Sequence, residues 1–398
     1  MSPDSLFALA TLAAGLLVVI GAALARGRLF AIFVGVLLTI QGLISVALFD
    51  YFEPIWPIYA YLQATVDLHF LSLARARMRP LWWRATVSVP GLFFAAGTML
   101  ALPWAVVDAF GVTPHFAWLA FVVAAWGVVQ SIWTREEEID LALDEATIER
   151  VRRHPRGKAG DKRPLRIVQI TDPHLGPLMS VARLRRICER AVAREPDLIL
   201  LTGDFLTMES QAAASILEDS LAPLAALEGK VFACLGNHDH EAPLLVRSAL
   251  ASAKVRLLVD EEAVVETPFG PVQLIGADFK FRGRKAHLEA LSRAYPRRPG
   301  HLRVVMLHDP GAFRHLPADH GDLVLSGHTH GGQLGLLTLG LPWTFVSVFT
   351  PIPDHGFWAR GKDRLYVHRG TGVYGFPLRV GVPAEESLLR VHVQREVP

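Results

Sequence analysis

The chain has 398 residues and a formal net charge of +2, so two or three domains fit its length and its charge predicts no nucleic-acid partner. Hydrophobic residues make up 51% and the mean hydropathy is +0.31, which is high for a soluble protein and indicates membrane segments. The only two cysteines, Cys188 and Cys234, exclude a disulfide framework and a cysteine-rich metal site.

The first third of the chain is predicted to span a membrane. Four apolar segments lack charged residues and have about the 20-residue length that crosses a hydrocarbon core: 6–25, 30–49, 85–107 and 113–133. A fifth segment, residues 55–74, is weaker because it carries Asp67 and His69, which are costly in lipid. These two residues fit either a buried polar site in a helix bundle or a segment at the water interface.

The distribution of basic residues predicts the topology. With five crossings, every flank that carries Lys or Arg lies on one side of the membrane, as the positive-inside rule expects. The N-terminus is then outside, the downstream domain is cytoplasmic, and the protein is an integral protein of a bacterial inner membrane. If residues 55–74 do not cross, the downstream domain lies on the opposite side from Arg26 and Arg28.

The second half of the chain has a different pattern. The segment of residues 135–164 is rich in charged residues and is predicted to be a linker. It would join a transmembrane region, residues 1–134, to a second domain, residues 165–398. In that domain short apolar runs alternate with helical patterns, which predicts an α/β fold with a central sheet. The main predicted strands cover residues 165–170, 197–201, 230–235, 302–307 and 322–325.

Side chains that bind metals follow each of those five strands. They are Asp172 and His174, Asp204, Asn237 and His238, His308, and His328 with His330. Because functional sites in open α/β sheets gather beyond the carboxyl ends of strands, these residues are expected to meet in one cleft. Imidazole and carboxylate ligands suit Mn, Fe, Zn or Co, and one carboxylate, for which Asp204 is the natural candidate, can bridge two ions. Such a pair of ions activates water and polarises a phosphoryl group.

The order Asp-x-His, Gly-Asp, Gly-Asn-His-Asp, His and Gly-His-x-His resembles that of the calcineurin-like metallophosphoesterases, over about residues 165–393. The resemblance implies an α/β four-layer (αββα) sandwich, here preceded by an all-α transmembrane bundle. It also implies the ligand set: Asp172, His174 and His330 for the first ion, Asp204 as the bridge, and Asn237, His308 and His328 for the second. By the same resemblance, His238 contacts the phosphate and protonates the leaving oxygen.

Other positions narrow the branch of the family. Asp239 is expected to orient His238, although a loop acid that caps a helix fits equally well. Thr207 stands where purple acid phosphatases carry a tyrosine, and His238 stands where UDP-diacylglucosamine hydrolases usually carry an arginine. Motifs near residues 331–333, 369–372 and 377–385 resemble the membrane-associated YaeI/YkuE-like phosphodiesterase branch. Arg369 and Arg379 in these motifs are candidate substrate-binding residues.

Between these motifs, residues 334–352 form an uncharged apolar stretch that begins four positions after His330. It fits either a loop packed under the sheet or an apolar lip that dips into the bilayer.

We therefore expect a membrane-anchored phosphoesterase with two divalent transition-metal ions, manganese being favoured. Its partners are the lipid bilayer and a phosphodiester or phosphomonoester substrate, with a lipid-linked one favoured by the membrane setting. The alternative is a membrane-anchored binding or sensor module with a regulatory or vestigial phosphoesterase domain. Asp67 and His69 support the sensor, whereas the complete ligand set argues against a vestigial site.

Overall fold

The computed structural model describes residues 1–160, 162–212 and 214–394. Asp161 of the predicted linker, and Ala213 and residues 395–398 of the predicted second domain, lie outside the described residues.

The N-terminal region is helical, as predicted. Its helices are α1 (Pro3–Arg26), α2 (Arg28–Ala47), α3 (Phe49–Phe52), α4 (Trp56–Ser72), α5 (Leu81–Trp83), α6 (Val89–Leu100), α7 (Leu102–Ala109) and α8 (Trp118–Ile132), with a π-helical turn at Arg84–Ser88. Many large apolar side chains, such as Leu12, Leu24 and Val122, point outward and are exposed. An apolar outer surface of this extent is typical of helices that face lipid.

Two of these helices, α1 and α2, are long and apolar enough to cross a membrane. The segment Leu81–Leu100 and the helix Leu102–Ala109 form a third candidate span that is bent by 51°. Helices α4 and α8 have 17 and 15 residues, so the five predicted crossings stay a prediction.

The predicted basic flanks lie beside the second domain. Arg26, at the end of α1, donates hydrogen bonds to the carbonyl of Leu73 after α4 and to the side chain of Gln211 in that domain. At the end of α8, the Ser131 hydroxyl accepts a hydrogen bond from the backbone N–H of Arg379. The ends of α1 and α8 therefore contact the second domain, and the end of α4 lies beside Arg26.

The polar residues of α4 are buried within the helix bundle. Gln41 and Gln63 exchange two hydrogen bonds of 3.0 and 3.1 Å, and Gln63 also donates to Asp67 at 3.4 Å. His69 is buried as well, 3.9 Å from the carboxylate of Glu209 in the second domain. Of the two interpretations of Asp67 and His69, the structure shows the buried polar site.

The second domain contains two mixed sheets. Its strands are β1 (Thr134–Leu143), β2 (Ile148–Arg153), β3 (Leu165–Ile170), β4 (Leu198–Leu201), β5 (Val231–Ala233), β6 (Arg256–Leu257), β7 (Glu261–Thr267), β8 (Gly270–Ala277), β9 (Leu302–Leu307), β10 (Leu323–Ser326), β11 (Gly356–Gly361), β12 (Asp363–Val367) and β13 (Ala384–Val393). The strand orders are β1-β13-β3-β4-β5-β6 and β2-β11-β12-β10-β9-β8-β7.

Helices cover the outer faces of both sheets, which confirms the four-layer sandwich. They are α9 (Val181–Ala193), α10 (Ala214–Leu221), α11 (Pro243–Ser252) and α12 (Arg284–Ala294), and a short α13 (Phe345–Phe349) follows. Leu165, Leu200, Val304 and Leu325 belong to one apolar layer between the sheets. Separate apolar clusters join the first sheet to α9–α11 and the second sheet to α12.

The prediction of a linker at residues 135–164 is wrong over residues 135–153, which contain two strands. Strand β1 pairs in parallel with β13 over ten residues, and β2 pairs with β11, so the segment adds an edge strand to each sheet. In β1 the side chains of Ile139, Leu141 and Leu143 are buried, Asp140 between them is partly buried, and the preceding Glu136 and Glu138 are exposed. The run of charged residues at the start of β1 interrupts the alternation of apolar and polar residues by which a strand is recognised in sequence.

Candidate active site

The predicted metal ligands converge beyond the carboxyl ends of β3, β4, β5, β9 and β10, as expected for such a sheet. Six of them form two clusters in which the candidate ligand atoms lie within 4.8 Å of one another. The clusters are Asp172, His174 and His330, and Asp204, His308 and His328. Both match the expected ligand groups, with Asp204 placed in the second.

Buried polar atoms without partners show that these residues fit metal ions. The Nδ1 atoms of His174 and His308 face the carbonyls of Leu206 and Thr202, at 3.2 and 2.6 Å. Each ring therefore leaves Nε2 for a ligand, and neither Nε2 atom has a hydrogen-bond partner among the described residues. Such atoms are costly unless they bind something. The buried Oδ1 of Asn237 is in the same state.

Asp204 lies between histidines of both clusters. Its Oδ2 is 3.2 Å from Nε2 of His308 and 3.7 Å from Nε2 of His174. Burial opposes ionisation of this carboxyl group, but the neighbouring imidazoles outweigh burial and hold its pKa below the ordinary value. The ionised carboxylate of Asp204 therefore lies between imidazole groups of both candidate clusters.

The loops that carry the ligands are strained. The φ angle is positive at five of them: 51° at Asp172, 45° at His174, 59° at Asp204, 67° at His328 and 52° at His330. Left-handed non-glycine residues are uncommon and cluster at functional sites. Gly203, with φ of 92°, makes the turn before Asp204 possible, since a Cβ there would lie 2.3 Å from the backbone nitrogen of Gly236.

His238 lies at the rim of the metal centre, and its partner is Glu241. The His238 Nδ1 is 2.7 Å from the Glu241 carboxylate. Burial opposes protonation of this ring, but the hydrogen bond to Glu241 and the charge of Asp204 outweigh it, so the pKa of His238 is raised. The ring is therefore suited to donate a proton.

Sequence patterns did not single out Glu241 or Tyr374, a second neighbour of His238. The Tyr374 ring stacks on His174 with centroids 4.5 Å apart and meets His238 edge-on at 4.4 Å. Glu241 lies three residues after His238, and this spacing alone does not predict a contact between the two side chains. Tyr374 is far in sequence from both His174 and His238, so the sequence gives no signal for its contacts with them.

Replacing Glu241 with glutamine is expected to lower kcat about tenfold for a phosphodiester with an alkyl leaving group, with little change in KM. The amide keeps the size of the side chain but loses the charge that favours protonated His238, an interaction of about 1.4 kcal/mol. Steady-state kinetics would measure this effect. Glu218→Gln, on α10, is the matched control, and an equal loss in both variants would contradict this role for Glu241.

Asp239 does not orient His238, contrary to the prediction. Its carboxylate accepts hydrogen bonds from the backbone N–H groups of Asp204, Phe205 and Gly236, at 2.8, 2.9 and 2.8 Å. These three donors belong to the loops after β4 and β5, so Asp239 joins the two loops that carry Asp204 and Asn237. Its contribution is to hold the backbone of the site.

The two predicted substrate-binding arginines are also structural. Arg369 forms ion pairs with Glu137 at 2.5 Å and Glu385 at 3.1 Å. Arg379 is fully buried and donates hydrogen bonds to the carbonyls of His330, Arg369, Gly370 and Gly372. It therefore fixes the loop behind the candidate ligand His330 and has no accessible face for a substrate.

Comparison with known proteins agrees with this geometry. Residues 165–332 match the family described as calcineurin-like phosphoesterase. The protein named phosphodiesterase YaeI, from Escherichia coli, is 30% identical over 237 residues, which cover 57% of this chain and 82% of that protein. The chain belongs to the calcineurin-like metallophosphoesterase family. The predicted family and the predicted enzyme class, a metal-dependent phosphoric ester hydrolase, are thereby confirmed.

Two other relatives of this metallophosphoesterase have informative names. The UDP-2,3-diacylglucosamine pyrophosphatase LpxG of Chlamydia muridarum is 28% identical over 283 residues, covering 57% of this chain and 83% of that protein. A bovine transmembrane protein with metallophosphoesterase domain is 27% identical over 243 residues, covering 56% of this chain and 52% of that protein. The family uses divalent metals, and the two clusters described above provide sites for them.

Proposed function

We propose that this metallophosphoesterase is an integral membrane enzyme that binds two divalent ions, with manganese favoured, and hydrolyses a phosphodiester of a lipid-linked substrate. The observation that carries the proposal is the pair of buried ligand clusters with Asp204 between histidines of both. Asp172, His174 and His330 would hold one ion; His308, His328 and Asn237 would hold the other, and Asp204 would touch both.

The chain's own residues define the rest of the mechanism. When bound, the ions would activate water and neutralise charge on the phosphoryl group. The ligand loops hold the clusters rigidly, because their strained backbone is secured by Asp239 and Arg379. His238, whose protonated form is favoured by Glu241, would donate its proton to the oxygen that leaves phosphorus. Tyr374 would limit the position of the substrate beside His174 and His238.

The surface around the site supports a membrane setting. Residues 334–352 are not packed under the sheet: Leu339, Trp343, Phe345 and Phe349 are all more than half exposed. This apolar lip adjoins the end of α8, because Gly335 and Thr338 donate backbone hydrogen bonds to Val380 and Gly381. The neighbouring Gly381 N–H donates to Gln130 of α8. We propose that the lip rests at the membrane surface.

The same geometry supports five crossings with a cytoplasmic active site. The ends of α1, α4 and α8 meet the catalytic domain, and α2 begins there, so the chain would pass back and forth through the bilayer. Arg26, Arg28 and Arg79 lie on that side, as cytoplasmic flanks usually do.

The names of two relatives support the substrate class. One is called a phosphodiesterase and the other a pyrophosphatase of a diacylated sugar nucleotide. Both names describe cleavage of a phosphorus–oxygen bond. The second name describes a substrate that carries acyl chains. UDP-diacylglucosamine compounds therefore belong among the substrates to test, although His238 stands where hydrolases of these compounds usually carry an arginine.

Removal of metal tests the proposal directly. Chelator-stripped protein in lipid nanodiscs is expected to hydrolyse a soluble aryl phosphodiester only after divalent ions are added, with manganese giving the highest rate. The rate of release of the aryl alcohol is the measurement, and magnesium is the comparison ion, because an imidazole-rich site disfavours it. Equal turnover before and after stripping, with metal content verified, would refute the metal mechanism. No turnover with any divalent ion would favour the binding or sensor module.

A further inference from the structure

A large cavity joins the metal centre to the interior of the membrane bundle. It has a volume of about 880 Å³ and lies between α2, α4 and α6 on one side and loops of the catalytic domain on the other. His174, His238 and Tyr374 line one end, beside the metal ligands, and the helices line the remainder. One continuous space therefore reaches from the site of phosphate chemistry into the bilayer region.

The walls of this cavity change character along its length. Near the metal clusters they carry His238 and Glu241, whereas the bundle end is mainly apolar, with side chains such as Phe30, Leu37, Leu92 and Met99 beside Gln41 and His69. A cavity with a polar end and a long apolar end is complementary to an amphiphile. Exposure of the apolar cavity walls to water is unfavourable, so an apolar occupant would be bound favourably.

The cavity also reaches the outside of the bundle. Leu29 and Phe33 of α2 line it, and both are exposed, to 86% and 46%. These residues belong to a helix long and apolar enough to cross the membrane, so their exposed faces meet lipid. A hydrocarbon chain can enter sideways from the bilayer without passing through water.

We infer that this bundle cavity is a binding site for the hydrocarbon chain of an amphiphilic substrate, whose phosphate lies at the metal ligands. The inference rests on the proposed function and deepens it, since it states where the lipid part is held. Arg26 stands between the two ends and is linked to the active site through Gln211, which bonds to Glu241. The positive charge of Arg26 at this position in the cavity favours an anionic headgroup.

A substitution that narrows the cavity tests the inference. Ala95 of α6 lines the cavity, and Ala95→Phe would fill space that a chain needs. Ala13→Phe, on the exposed face of α1, adds the same side chain where it meets only lipid. The substrates are methyl and hexadecyl 4-nitrophenyl phosphate, which share the leaving group, and the protein is the full chain in nanodiscs.

We expect the wild-type enzyme and Ala13→Phe to prefer the hexadecyl ester, in kcat/KM, over the methyl ester. Ala95→Phe is expected to reduce that preference at least about tenfold, because each buried methylene contributes about fourfold in affinity. No chain-length preference in the wild-type enzyme, or the same preference in all three proteins, would overturn the inference while leaving the phosphoesterase intact.

Photolabelling keeps the inference testable if neither ester is hydrolysed. A long-chain alkyl phosphate with a diazirine at the chain end is expected to label residues 92–99 and 29–37 of the wild-type protein, and excess unlabelled alkyl phosphate should compete. Labelling without turnover of either ester would overturn the proposed function and support the cavity as a chain site. Labelling confined to the outer helix faces, without competition, would overturn the cavity site.

Discussion

Replacing Asp204 with asparagine is expected to lower turnover of a soluble aryl phosphodiester by about three orders of magnitude and to reduce bound metal below two ions per chain. Asparagine keeps the shape of the side chain and can still accept the hydrogen bond from the His238 backbone N–H. It loses the negative charge that lies between His174 and His308, which is worth several kcal/mol of transition-state stabilisation when ions are bound.

Turnover and metal content should be measured together on the same dialysed sample. Asp219→Asn, on the exposed part of α10, is the matched control and is expected to keep both properties. If Asp204→Asn retained both ions and more than about a tenth of the turnover, Asp204 would not be the shared ligand that its position indicates.

Replacing His238 with glutamine is expected to lower kcat by about two to four orders of magnitude for a phosphodiester with an alkyl leaving group. For a 4-nitrophenyl leaving group the loss should be much smaller, because nitrophenolate leaves without a proton. Metal content should stay unchanged, since the His238 ring belongs to neither ligand cluster. The dependence on the leaving group separates proton donation from a general disturbance of the site.

The neighbouring His240 provides the control for this experiment. Its ring pairs with Asp278 at 2.9 Å and belongs to neither candidate metal cluster, so His240→Gln is expected to have little effect with either leaving group. An equal loss with alkyl and nitrophenyl leaving groups in His238→Gln would show that His238 positions the phosphate and does not protonate the leaving oxygen.

The candidate metal ligands were predictable from the sequence because each follows a buried strand. The apolar runs at Leu165–Ile170 and Leu302–Leu307 mark parallel strands, and parallel strands bring their carboxyl ends to one edge. Gly203 and Gly327 mark the tight turns after two other strands, β4 and β10. Local pattern and sheet geometry therefore suffice to bring Asp172, Asp204 and the histidines together.

Residues whose partners are distant in sequence were not predictable in this way. Arg369 and Arg379 occur in motifs beside the site, and only the folded structure shows that one is paired with Glu137 and Glu385 and the other is surrounded by carbonyls. Asp239 follows His238 directly but turns toward the backbone of β4 and β5 loops. Adjacency along the chain does not set the direction of a side chain.

From the sequence alone one could predict apolar helices long enough to cross a membrane, the α/β class and the candidate metal ligands, because apolar length, strand period and ligand type are local properties. The folded chain was needed to find the edge strands at residues 134–153, the ion pair of Arg369 with Glu137 and the cavity between the bundle and the active site. Each of these depends on two segments far apart in the chain packing against each other, and the free energy of that packing is not contained in either segment alone.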